Sequence, residues 1–454
     1  MLYRLFVYNP TLFSRTLRRR PLLCCILLLV IHSCSSPVQK DKRPNVYIEK
    51  TDHGYQMIRN GNPFHIKGAS GNAFLKELKD AGANTIRVYD TMNLKKYLVK
   101  AEELGLAVVI DIPLPRYQTN SDTIYKNPVL FAKLLEDTGK FVNRFKDHPA
   151  VLYWILGNEV YYPKLYANDF ISGYNRLLEK VREIDPNHPI STTVSSSGLK
   201  KVFSILVKSP DLDFISVNNF GSLNDFTLDK NILFFWQGPY VISEWGINGP
   251  WETETTKWAA PLEETGTKKA EQYKNRYVKN IQAIDDGRCL GSLAFFWGQK
   301  QERTHTWFSL FADNGYKSQV VFELQNLWQD VDRQFQGPKI DYLLLNGQSA
   351  SENILISHNR EVKAALFYLK NDSVASYDTE WTVRPENWNY LPQEVEQRPD
   401  SIPDLIVRKD NFGLTFKTPT QEGPYRLFVK VSSESGYYTT ANIPFYVIKE
   451  PFNL

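Results

Sequence analysis

Residues 84–112 read NTIRVYDTMNLKKYLVKAEELGLAVVIDI, and this stretch decides the fold. Its two ends, Asn84–Tyr89 and Ala107–Ile112, are short apolar runs of the kind that form strands buried on both faces. Between them, Asn93–Leu104 is an amphipathic segment of helical period, so the unit is strand–helix–strand with parallel strands. The same unit recurs on both sides. Upstream, Phe64–Lys67 leads to a helix over Asn72–Ala81, with Phe74, Leu75 and Leu78 on one face. Downstream, Ala107–Ile112 leads to Val129–Lys146, Val151–Leu156 to Ala167–Ile184, and Ile190–Val194 to a weaker helix over Leu199–Val207. Phe214–Val217 leads to a weak helix over Asp225–Phe234, Tyr240–Ser243 to Lys268–Asp285, and Ser292–Trp297 to Ser318–Val331. Eight strand–helix pairs over about 270 residues are what a (β/α)8 TIM barrel requires. A doubly wound open sheet would carry a glycine-rich phosphate turn after its first strand. Gly68-Ala69-Ser70-Gly71 has the wrong spacing for one.

Outside the barrel the pattern changes. Two short strands, Val46–Lys50 and Tyr55–Arg59, precede it. After Gln336-Gly337-Pro338 come runs of strand type: Val362–Leu369, Tyr377–Val383, Leu414–Phe416, Tyr425–Val431 and Tyr437–Val447. They imply an immunoglobulin-like β-sandwich, with Trp381 as its inter-sheet tryptophan, Tyr425 as a tyrosine corner and Arg384–Arg408 as a long loop. At the other end, Arg15 and Arg18–Arg20 precede a ten-residue apolar run, Leu22–Ile31. That run is shorter than the 17–25 residues a membrane-spanning helix needs, and it reads as a signal peptide. Val30–Ser35 resembles a bacterial lipobox, which makes Cys34 the expected lipid attachment point and the protein an exported, lipid-anchored component of the cell envelope. The expected organisation is leader 1–34, tether 35–45, barrel 46–335 and sandwich 340–454.

Composition narrows the function. Fifty-four Lys and Arg against fifty Asp and Glu leave a net charge of only +4. A nucleic-acid partner is therefore not expected, because that affinity rests on neutralised phosphates. Three of the four cysteines lie in the leader region, leaving Cys289 and no disulfide framework. No histidine pair has zinc-ligand spacing, and neither metal nor cofactor is called for. Aromatic residues make up 13% of the chain, and Trp154–Trp328 holds eight of the ten tryptophans, in the half of the barrel that also carries Glu159 and Glu244.

Active-site groups of such barrels sit at the C-terminal ends of the strands. Those ends offer Arg87, Tyr89 and Asp90 on the second strand, Asp111 on the third, Asn158 and Glu159 on the fourth, Asn218, Asn219 and Phe220 on the sixth, Glu244 and Trp245 on the seventh, and Trp297 on the eighth. Two carboxylates in one mouth are the components of acid–base glycoside cleavage. The segments WILGNEV (Trp154–Val160) and YVISEWG (Tyr240–Gly246) resemble the acid/base and nucleophile strands of clan A glycoside hydrolases, family 2 above all. GANTIRVYDT (Gly82–Thr91) also resembles the second strand of β-1,3-glucanases and β-1,3-glucanosyltransferases. The resemblance covers residues 46–330.

It implies Glu159 as general acid/base and Glu244 as nucleophile of a retaining reaction, with carboxyl groups about 5–5.5 Å apart. It further implies that Arg87 keeps Glu244 ionised, that Asn158 binds the sugar 2-hydroxyl, that Trp297 is the platform under the sugar, and that Trp245 lies at the substrate. Many clan members place a tyrosine on the sixth strand against the nucleophile. Phe220 stands in that register here, and either Asn219 takes the role or the register is offset by one. Trp236, Trp251 and Trp258 are further stacking candidates. His148 and His188 belong to the barrel bottom, and His305 to a loop. The expected activity is hydrolysis of a β-linked oligo- or polysaccharide, with β-glucan foremost. A glucanosyltransferase and a non-catalytic glycan-binding lipoprotein are the alternatives.

Overall fold

The computed structural model describes residues 45–449 apart from 90, 116–121, 161–167, 196–198, 226–235, 285, 370–375 and 388–395. Cys34 with its leader and most of the tether, Asp90, and nearly all of the helix expected over Asp225–Phe234 lie outside the described residues.

Eight parallel strands close into a barrel: β4 (Ile66–Gly71), β5 (Thr85–Val88), β6 (Ala107–Ile112), β7 (Val151–Leu156), β8 (Ile190–Ser195), β9 (Phe214–Asn218), β10 (Tyr240–Trp245) and β11 (Cys289–Trp297). Neighbours in sequence are neighbours in space, with β11 closing onto β4. Before them, β1 (Val46–Thr51), β2 (Gly54–Arg59) and β3 (Asn62–Pro63) form an antiparallel sheet. Val46 and Met57 of this sheet pack with Ile66, Val109, Phe214 and Leu293 of the barrel interior, plugging its N-terminal end. The first barrel strand runs further than its expected span of Phe64–Lys67. Gly68, Ala69, Ser70 and Gly71 have little strand propensity, but the strand is squeezed between neighbours. A Cβ on Gly68 would sit 1.8 Å from the Thr85 carbonyl oxygen, and one on Gly71 2.0 Å from that of Trp297.

The crossover helices follow the apolar periodicity. The helix Pro128–Phe145 starts where Asn127 accepts the backbone N–H groups of Val129 and Leu130, with proline at its first position. Leu199–Lys208 is helical despite its weak pattern. After β9 the described chain forms a 3-10 turn, Gly221–Asp225. After β10, Gly266–Arg276 passes into a π-helical turn, Tyr277–Ile281. His188 and Trp154 both bond Asp185 near the barrel's lower end, a structural use of that histidine.

The C-terminal domain is two facing sheets. One contains β12 (Lys317–Ser318), β14 (Leu355–Ser357), β16 (Asp378–Pro385), β19 (Gly423–Ser432) and β20 (Tyr437–Ile448). The other contains β13 (Ile340–Leu345), β15 (Glu361–Tyr368), β17 (Ile406–Lys409) and β18 (Gly413–Lys417). Trp381 is buried in the core between them, and the Tyr425 hydroxyl donates to the Gln421 carbonyl at 2.9 Å, the geometry of a tyrosine corner. Strand β12 lies in the barrel sequence yet pairs with β20, so one sheet of the sandwich takes in a piece of the barrel.

Candidate active site

The chain leaves β7 through Gly157, at φ 83°, and Glu159 at φ 50°. A residue other than glycine is seldom held in the left-handed region, and such positions concentrate at functional sites. On β10 the pairing with β9 slips between Ile242 and Glu244, an irregularity of the kind that re-aims a side chain. The two glutamates line one cavity of about 1050 Å³ at the C-terminal mouth. That exceeds the usual volume of a small-molecule pocket, roughly 300–1,000 Å³, and leaves room for more than one sugar ring.

Arg87, wholly buried, is the hub. Its Nε and Nη2 fork onto Asp111 at 2.9 and 2.8 Å, Nη1 donates to Glu244 Oε1 at 3.1 Å and to Asn218 Oδ1 at 3.2 Å, and Nη2 also donates to Asn158 Oδ1 at 2.9 Å. A guanidinium only donates, so both amide oxygens must face it. The Asn218 amide nitrogen then points to Glu159 Oε1, at 2.9 Å. Burial works against the Arg87 charge, but Asp111, Tyr89 and Glu244 together hold its pKa well above the ordinary arginine value.

Glu244 departs from expectation. Burial pushes its carboxyl up, Arg87 pulls it down, Glu159 and Asp111 raise it and the Tyr89 hydrogen bond lowers it; the net result is about 7. Arg87 does not secure ionisation by itself because Asp111 takes two of its donors. The missing partner is Tyr89, whose hydroxyl donates to Glu244 Oε1 at 2.6 Å. Burial keeps that phenol far above its usual pKa, hence a donor. The phenol against Glu244 thus comes from the second strand and not the sixth. A signal existed: Tyr89 is two residues beyond Arg87, on the same face of an extended chain.

The same alternation corrects the expectations for Trp245 and Asn219, and a register shift corrects the one for Trp297. Trp245 follows the inward Glu244 and points outward, packed between Tyr273 and Tyr277. Trp297 lies beyond a register shift between β11 and β4 and is absent from the cavity lining, with its Nε1 on the Phe74 carbonyl at 3.0 Å and its rings on Phe311 and Trp328. The aromatic wall is instead Phe220, Phe295 and Phe296, with Trp251 at the rim, 61% exposed. Asn219 follows Asn218 and is buried behind the wall, where Ser222 Oγ donates to its side chain. The role expected of Asn219, a hydrogen bond to Glu244, falls to Tyr89, while Asn218 bonds Glu159. Trp236 bonds the Pro239 carbonyl and Trp258 packs on Tyr446 of the sandwich, neither lining the cavity. Lys300, Glu252 and Glu302 also line it, and nothing in the strand-end reading marked them.

An eight-stranded parallel barrel with paired glutamates at its C-terminal mouth is the arrangement of the clan A glycoside hydrolases. Residues 74–249, less than half of the chain, match the model of the glycosyl hydrolases family 2 TIM barrel domain, and the barrel is similar to that domain. Two curated relatives are β-glucuronidases. That of Sus scrofa is 25% identical over 186 residues, 37% of this chain and 26% of its own length. That of Canis lupus familiaris is 23% identical over 186 residues, with the same coverage. Among solved structures, a β-glucuronidase from Ruminococcus gnavus in complex with uronic deoxynojirimycin has TM-score 0.50 at 16% identity, covering 63% of this chain and 52% of its own. The chain thus spans about a quarter of the curated relatives and about half of the solved one.

Proposed function

We propose that this protein is a retaining O-glycosyl hydrolase that cleaves a β-linked glycan by double displacement. The observation that carries the proposal is the unequal treatment of the two carboxylates in one cavity. Glu244 Oε1 is held by Arg87 and Tyr89, which leaves Oε2 to attack, while Glu159 is held by the neutral amide of Asn218. Glu159 protonates the leaving oxygen as Glu244 forms a bond to the anomeric carbon. Glu159 then takes a proton from water, which displaces Glu244 and releases the sugar. Asn158, its oxygen already engaged by Arg87 and Asn218, presents its amide N–H groups to the sugar 2-hydroxyl.

β-Glucan is the substrate class we put first. β-Uronides are the alternative, favoured by the names of the relatives. Incubation of the purified protein with β-glucans, aryl β-glucosides and aryl β-glucuronides, with products weighed by mass spectrometry, tests the assignment. Release of free sugar from one class supports it; binding without release from all three favours the non-catalytic alternative, and longer oligosaccharides favour transglycosylation. We also propose Cys34 as a lipid attachment point; a Cys34→Ser protein that stays with the membrane fraction would argue against it.

A further inference from the structure

The loop that leaves β11 carries Lys300 and Glu302 into the catalytic cavity. The Lys300 ammonium stands 3.4 Å from the Glu302 carboxylate and 5.7 and 5.8 Å from the ring centres of Phe295 and Phe296. Glu302 and Thr304 pair backbone to backbone in both directions, at 3.1 and 2.7 Å, around Arg303 at φ 61°. This is a tight hairpin tip, and its only outward amide, that of Arg303, donates at 2.6 Å to the carboxylate of Glu396. Glu396 belongs to the sandwich, in the segment between β16 and β17.

The rest of the loop is held from the same side. The His305 ring lies 4.7 Å from Phe428 of β19, and burial, followed by Arg398 and Arg384, pushes its pKa down to about 3, so it packs as a neutral ring. The Tyr438 hydroxyl of β20 donates to the Ser309 carbonyl at 3.2 Å. From the barrel side, buried Glu263 accepts the hydroxyls of Thr304 and Thr306 at 2.6 and 2.8 Å. A hairpin of a few residues, with no core of its own, is thereby fixed between two domains.

We propose that the sandwich completes the substrate pocket: Glu396 is a positioning residue that clamps the 302–304 hairpin, and Lys300 with Glu302 is the pair that sets specificity for the bound sugar. An ammonium only donates and a carboxylate only accepts, so together they satisfy adjacent hydroxyls of a neutral ring. The carboxylate of a uronic acid in the same place would be repelled by Glu302. The part concerning sugar rests on the proposed glycosidase activity; the clamp itself does not.

Two measurements on the full chain keep these apart. In hydrogen–deuterium exchange, Glu396→Ala should speed exchange in peptides covering 299–309 by about tenfold, the loss of one charge-assisted hydrogen bond. Glu396→Gln, which can still accept from Arg303, should recover most of the protection. In kinetics on whichever neutral aryl β-glycoside is turned over, Glu396→Ala and Glu302→Gln should raise KM about three- to tenfold with kcat within about twofold. Glu302→Gln should also narrow the preference for neutral over uronic glycosides. Unchanged exchange in Glu396→Ala overturns the clamp whether or not any glycoside is cleaved. Faster exchange with an unchanged KM overturns the link between clamp and pocket. A protein that cleaves no glycoside in any form removes the specificity role along with the proposed activity, and the exchange result then stands by itself.

Discussion

The nucleophile proposed above has to be ionised, and Glu244 is buried beside two other carboxylates and raised to about 7. On the proposed mechanism, kcat/KM is expected to fall as pH drops through about 7, the acid limb reporting protonation of Glu244. Tyr89 opposes that protonation through its short hydrogen bond. Tyr89→Phe keeps the ring on Arg87, whose guanidinium lies 4.6 Å from the ring centre, and deletes only the donor. The acid limb should then move to higher pH, with kcat/KM lowered about tenfold or more at pH 6 and less at pH 8. A pH–rate profile checks this; a loss equal at every pH would show that the hydroxyl does not act on Glu244 ionisation. The removal of Arg87 is a blunter test, because it leaves both Asp111 and Glu244 buried without their cation.

At the scale of elements, the site is held by loops tied to each other as well as to the barrel. The Glu252 carboxylate, in the loop after β10, accepts the N–H groups of Gly221 at 2.8 Å, Ser222 at 3.4 Å and Gly249 at 2.7 Å, and so joins the segment after β9 to its own loop. Arg276 ties Asn224 to Gly246 and Asn248 in the same region. Glu252→Ala should leave three backbone donors short of their partner and raise KM several-fold, with a stability loss of about 1–3 kcal/mol. Steady-state kinetics and a urea melt read the two effects; an unchanged KM would mean that these loops do not shape the cavity. Such ties explain what could be read from sequence. The barrel was legible because strands such as β6 and β7 are unbroken apolar runs alternating with amphipathic helices, and Arg87, Asn158, Glu159 and Glu244 were legible because they lie at strand ends. Trp245, Trp297 and Asn219 were misplaced because the identity of a strand-end residue does not give its face; alternation does for Trp245 and Asn219, while Trp297 lies beyond a register shift that sequence does not show. Lys300, Glu302 and Glu252 stayed hidden since loops of this length carry no period. The short strands β13, β14 and β17 were missed for a related reason: two are three or four residues long, and β14 gains its place only by pairing with β20.

Over the whole molecule, the sandwich and the barrel share interior charges. Arg426 of β19, fully buried, donates to Glu386 at 2.8 Å and Asn442 at 2.7 Å within the sandwich, and to the Pro261 carbonyl of the barrel at 2.8 Å. Burial already pushes the Glu386 carboxyl up, with Arg426 opposing. Arg426→Met should therefore destabilise by about 3 kcal/mol or more at pH 8, where Glu386 is stranded as an anion. The loss should shrink toward pH 5, where that carboxyl takes up a proton in the folded state. Calorimetry should show one transition moving as a whole. Two separate transitions, only one of them shifted, would show that the domains melt independently.

The claim at the centre is that Glu244 attacks the anomeric carbon. Glu244→Ala should lose turnover of an activated aryl β-glycoside by several orders of magnitude. Azide should restore part of it by entering on the face the carboxylate occupied, giving the α-glycosyl azide in the NMR spectrum. Undiminished hydrolysis by Glu244→Ala would contradict the assignment, as would an azide product of β configuration.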